Sequence, residues 1–118
     1  MTNNFEDFFA KLQKSPFRSK FHLSVKDKDY VASKGWDVIK KHAEDFVEKR
    51  LAILQDNDGK QTPFRGHPVF VAQHACACCC RGCLEKWHKI PKNKVLTNFE
   101  KEYIVNLLLA WIKRECEE

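Results

Sequence analysis

Apolar residues recur at helical spacing along most of this chain. Phe5, Phe8, Phe9 and Leu12 share one face of a first helix that runs to about Lys14, capped by Asn3 or Asn4. Ser15-Pro16 ends it, because a residue preceding proline is pushed out of the helical region. Phe17 to Val25 has no clear period. Phe17, Phe21, Leu23 and Val25 suit a short strand or an extended arm. Asp27 to Lys34 reads as one or two helical turns, stopped by Gly35. A second long helix is predicted from about Trp36 to Ile53, with Val38, Ile39, His42, Ala43, Phe46, Val47 and Leu51 keeping the period.

A polar connection from Gln55 to His67 follows, containing Asn57-Asp58-Gly59-Lys60. It is long for a compact domain, and long ordered connections often carry function. His67 then stands in a cap position, with Pro68 as the first helical residue. Val69 to His88 holds no breaker but Gly82, so it reads as one helix, with Gly82 as the place for an interruption. Ile90 to Leu96 is a loop. Thr97-x-x-Glu100 is a capping box for a last helix to about Glu115, which buries Tyr103, Ile104, Leu107, Leu108, Trp111 and Ile112. The fold expected is all-α: one compact domain over residues 1–118, about four main helices, and a short extended arm near 17–25.

Composition narrows the class. At 118 residues, 43% apolar and 31% charged, the chain has the balance of a globular protein with a real core. The longest apolar stretch, Ile104 to Ile112, is too short to span a membrane. Met1 to Phe9 carries Glu6 and Asp7 and lacks the basic-then-apolar order of a signal segment. The six cysteines are the outlier, since five fall between Cys76 and Cys83. Bridges of an exported scaffold staple distant segments, so this crowding points to a reducing compartment, the cytoplasm, and to metal or thiol chemistry.

On a continuous helix His74, Cys78, Arg81, Glu85 and His88 fall within about 40° of one direction, and His67 joins them. Cys76, Cys79, Cys80 and Cys83 fall within about 60° of the opposite one, with Ala72 and Trp87. Thiolates bind zinc or iron tightly, and i, i+3 and i, i+4 spacings let one helix supply several donors. Cys80-Arg81-Gly82-Cys83 is also a CxxC pair. Two other readings stand beside a metal. Cysteine is a small hydrophobe suited to tight helix contacts. A redox pair needs its CxxC at a helix N-terminus after a strand, whereas this pattern puts it deep inside a helix with no βαβ context. His42, on the apolar stripe of the second long helix, is the outside donor that would complete a tetrahedral site. Asp45 follows at i+3, a spacing that can orient it.

Two further constellations remain. Asp58, Arg65 and His67 precede the helix that carries His74 and Arg81. Together they suit a pocket for an anionic or phosphorylated substrate, or else a polar turn with a surface salt network. Lys86, Lys89, Lys92 and Lys94, interleaved with Trp87 and His88, suit a nucleic-acid patch from Lys86 to Lys94 or a solvated loop. The net charge of +5 is mild for nucleic-acid binding.

The run Asn57 to Pro63, then Arg65-Gly66-His67-Pro68-Val69-Phe70, Ala72-Gln73-His74-Ala75, Cys79-Cys80-Arg81-Gly82-Cys83-Leu84 and Lys86-Trp87-His88, resembles the small bacterial domain-of-unknown-function family 4186. His42 to Phe46, Arg50-Leu51-Ala52 and Leu96-Thr97 are similar as well, so the resemblance extends from about Phe17 onward. It implies a stand-alone bacterial domain without an assigned activity. Cys79, Cys80, Cys83, His42, His67, His74 and His88 match the family pattern, while Cys76, Cys78, Leu54 and Phe64 depart from it.

The expected site is therefore Cys79, Cys80 and Cys83 with His42 as fourth ligand, holding zinc, or an iron–sulfur cluster in its place. Four protein ligands would make zinc structural, and an open position would let it activate a nucleophile. An enzyme acting through Asp58, Arg65, His67, His74 and Arg81, and a nucleic-acid module at Lys86 to Lys94, are the alternatives. Trp87, Trp111 and the last helix serve either the core or a homodimer contact.

Overall fold

The structure is a computed structural model and describes residues 5–117. Seven helices and no strand occur among these residues. They are α1 (Glu6–Gln13), α2 (Pro16–Ser19), α3 (Val25–Lys34), α4 (Trp36–Arg50), α5 (Pro68–Ala75), α6 (Arg81–His88) and α7 (Asn98–Cys116). The all-α class holds, with more and shorter helices than the pattern suggested. Asn3 and Asn4 lie outside the described residues.

α7 is the axis of the core. Thr97 and Glu100 form the expected capping box, Oγ1 accepting from the Glu100 amide at 3.0 Å and the Glu100 carboxylate from the Thr97 amide at 2.9 Å. Ile104, Leu107, Leu108 and Ile112 are wholly buried, and Trp111 nearly so, within the single chain. α4 lies against α7 through Ile39, Ala43 and Val47, spaced i, i+4 on one stripe. α5 packs on α7 as well and is buried almost all round, which suits its run of apolar residues.

Two expectations need correction. The segment near 17–25 is not a strand or a wholly extended arm. Ser15-Pro16 ends α1 but also starts α2, because Ser15 Oγ accepts from the Arg18 amide at 3.1 Å and Pro16 is pre-set for the first helical position. Only residues 20–24 are non-helical before the Ser24–Asp27 capping box opens α3. α3 then ends at Gly35, whose φ of 85° belongs to glycine.

Val69 to His88 is not one helix. It breaks over residues 76–80, and Gly82 lies inside the first turn of α6. The break is a left-handed stop without glycine. Ala77 takes φ 58°, the Cys78 amide donates to the Gln73 carbonyl at 2.7 Å, and the Ala77 amide to that of His74. A distant residue restarts the helix. Asp58 accepts from the amides of Arg81 at 2.9 Å and Gly82 at 3.1 Å, while Cys80 occupies the cap position.

Candidate metal centre

The break gathers the thiols that a continuous helix would have aligned along one stripe. The sulfurs of Cys79, Cys80 and Cys83 all lie within 4.8 Å of one another. Cys79 and Cys83 are 3.6 Å apart, close to the separation of about 3.8 Å that two sulfurs take on a tetrahedral zinc. Cys80 Sγ accepts from the Cys83 amide at 3.4 Å. Cys79 and Cys80 are buried and Cys83 is partly open.

Arg18 is the residue that sequence reasoning missed. The single turn of α2 turns its side chain inward. Its guanidinium donates to Cys83 Sγ at 3.1 Å, to Cys79 Sγ at 3.7 Å and to the His74 carbonyl at 2.7 Å. The cue was the Ser15-Pro16 start signal, which fixes a helical turn but not what it faces. Hydrogen bonds from Cys79, then Cys80, with Arg18 beside them, hold the Cys83 thiol well below its ordinary range. The same sharing pushes Cys79 up. The trio thus favours one thiolate, with a cation against it.

His42 does not join the group. Among the described residues, no other His, Cys, Asp or Glu stands with the three sulfurs. His42 Nδ1 lies 2.9 Å from His67 Nε2. The Val69 amide donates to His67 Nδ1 at 3.0 Å, so the proton of neutral His67 sits on Nε2 and is given to His42. Asp45 is exposed. Cys76 and Cys78 are buried at the helix break, outside the thiol group.

The five residues of the expected anion pocket do not share one cleft. Arg81 is wholly buried and donates to the carbonyls of Leu51, Ala52, Pro91 and Lys94. Asp58 is committed to the start of α6. His74 is buried, with its Nε2 on the Thr62 carbonyl at 3.0 Å. Arg65 and His67 alone line a common open cleft. In the Lys86 to Lys94 stretch the four lysines are exposed. Its aromatic rings turn inward, Trp87 toward Phe8 and His88 to Tyr103 and the Cys76 carbonyl.

His67 makes a testable contribution to stability. Burial, then the neighbouring His42, lowers its pKa to about 4, and Asp27 opposes this. The folded state thus disfavours the charged ring. Below about pH 6.5 the unfolded chain takes up a proton that the folded chain refuses, so stability falls as the pH drops toward 4. The loss is at most about 3 kcal/mol. His67→Asn keeps an acceptor for the Val69 amide, so its urea midpoint should fall less between pH 7 and 4.5 than that of the wild type. Equal slopes for the two proteins would refute the assignment.

The fold and site define an all-helical domain with a three-thiol centre at a helix break. The chain belongs to the family described as Domain of unknown function (DUF4186), which matches residues 6–113. No solved structure matches the chain.

Proposed function

We propose that the protein binds one metal ion through Cys79, Cys80 and Cys83, with zinc ahead of iron. The observation that carries this reading is the convergence of three sulfurs within 4.8 Å, two of them buried. Thiolates packed this closely repel one another unless a cation lies between them, and Arg18 offsets part of that charge. With three protein ligands, the fourth position belongs to water or to a ligand from outside the chain. All six cysteines are free, which suits a reducing compartment such as the bacterial cytoplasm.

The test is elemental analysis of tag-free protein purified without air, read beside its visible spectrum. About one zinc per chain without colour supports the reading. Iron with visible absorption replaces zinc by a cluster. No metal and six titratable thiols would end the proposal.

One observation favours a second reading. The break places Cys80-Arg81-Gly82-Cys83 at the N-terminus of α6, where the helix dipole and the Arg18 guanidinium, 3.1 Å from Cys83 Sγ, favour thiolate, although Asp58 already takes the Arg81 and Gly82 amides. In this reading Cys83 attacks a substrate disulfide and Cys80 resolves the mixed disulfide. The two thiols give two electrons and two protons to the substrate, which leaves as two thiols. Metal-free protein that reduces a model disulfide, and loses this with Cys83→Ser, would favour it over the metal.

A further inference from the structure

A second site lies where the long polar connection meets the segment after α2. There Lys20, Phe21, Lys26, Phe64, Arg65 and His67 line an open cleft of about 560 Å³, a size suited to a small ligand. It shares no residue with the thiol centre.

Its apolar part is a fixed aromatic platform. Phe64 is 61% exposed, yet it is not isolated. One face lies on the buried His74 ring at 4.3 Å and 16°, and it runs parallel to Phe21 at 6.3 Å and 5°. A hydrogen bond from its Nε2 edge to the Thr62 carbonyl at 3.0 Å fixes His74 in place. The ring is thus backed by protein and keeps a free surface toward solvent, as a stacking surface requires.

Its polar part is cationic. Lys20, Lys26 and Arg65 form no ion pair among the described residues. The carboxylate of the cleft, Asp27, accepts from the Ser24 amide at 3.2 Å. Three cations, Lys20 among them resting over the Phe17 and Phe21 rings, outnumber the one carboxylate and leave the cleft net positive and complementary to an anion. Part of the cleft's hydrogen-bonding capacity is already taken, although Tyr30 and His22 also line it. His67 has both ring nitrogens engaged, and Ser24 and Asp27 cap α3 together.

We propose that this cleft binds a nucleoside phosphate, the base stacked on Phe64 and the phosphate held by Lys20, Lys26 and Arg65. A simple anion would leave the aromatic platform unused, and an uncharged aromatic would leave the three cations unused. A ligand with both parts uses the whole cleft. Stacking and charge set its affinity, so purines bind better than pyrimidines with little choice between adenine and guanine. The unit can come from a free nucleotide or from a single strand.

The experiment is a calorimetric titration at low salt with AMP, adenosine, inorganic phosphate and a short single-stranded oligoadenylate, on protein of measured metal content. AMP should bind at least about tenfold more tightly than adenosine or phosphate. Phe64→Ala should weaken AMP about tenfold or more, and Phe64→Trp should keep it. Arg65→Gln should weaken AMP and leave adenosine unchanged. Phe64 and Arg65 are exposed, and thermal unfolding of each variant checks that the fold survives. Tighter binding of the oligonucleotide assigns the unit to a strand, and equal binding to a free nucleotide. No heat with AMP, or phosphate binding as tightly as AMP and indifferent to Phe64→Ala, overturns the proposal. The metal content is read separately, so a failed metal reading and a failed cleft give different results.

Discussion

Replacing Arg81 with leucine should cost the fold about 3–5 kcal/mol, a large share of the total stability of a domain this size. Its guanidinium is wholly buried and reaches four carbonyls: Leu51 and Ala52 at 3.2 Å each, Lys94 at 2.8 Å, and Pro91. These groups close the end of α4 and the loop that leads from α6 to α7. Leucine fills part of the volume but leaves four acceptors without donors in the interior, and a buried acceptor without a partner costs about 1–3 kcal/mol. Arg81→Lys should recover only a fraction, since one ammonium cannot span four carbonyls arranged around a planar fork. Urea unfolding followed by circular dichroism measures both. A loss below about 1 kcal/mol for Arg81→Leu would show that water replaces the guanidinium at little cost.

Cys83→Ser should abolish metal binding, and with it the stabilisation that the metal supplies. Serine keeps the shape but offers a hard, weakly acidic oxygen in place of a thiolate, and two sulfurs hold zinc far less tightly than three. Cys83 is also the thiol that hydrogen bonds and Arg18 bias most strongly toward the charged form a metal needs. The expected result is a fall from about one zinc per chain to background. A chelator should bring the wild type to the melting temperature of the variant and leave the variant itself unchanged. Cys76→Ala, outside the thiol group, should keep the metal. Metal content equal in wild type and Cys83→Ser would place the ion elsewhere. Binding releases protons from the thiols, so affinity should weaken as the pH falls.

Much of the helical framework could be read from local signals. The Thr97–Glu100 box, the Gly35 stop and the His67-Pro68 start each act within a few residues, and each appears where the pattern put it. The period of α4 and α7 named Ile39, Ala43, Val47, Ile104, Leu107, Leu108, Trp111 and Ile112, which are buried because one stripe of each helix must face the core. It also named Val38, which is exposed, and Tyr103, which is half-buried. The thiol cluster was legible as composition, and Cys79, Cys80 and Cys83 do converge. What failed was continuity between Val69 and His88. The stop uses Ala77 in a left-handed conformation that sequence statistics reserve for glycine, and the restart uses Asp58 from another segment.

The chain by itself determined the all-helical class and the capped starts of α5 and α7, because spacing and capping are short-range physics, while the choice of Cys79, Cys80 and Cys83 among the clustered thiols came from the family resemblance. Only the tertiary structure decided the rest. It broke the central helix, set Arg18 against the sulfurs, turned His42 to His67 instead of to the site, and made Arg81 a buried tie between loops. Each of these depends on which side chain meets an unsatisfied backbone group or a charge across a long sequence separation. Periodicity carries no record of that, since a residue's spacing tells which face it lies on but not what is packed against that face.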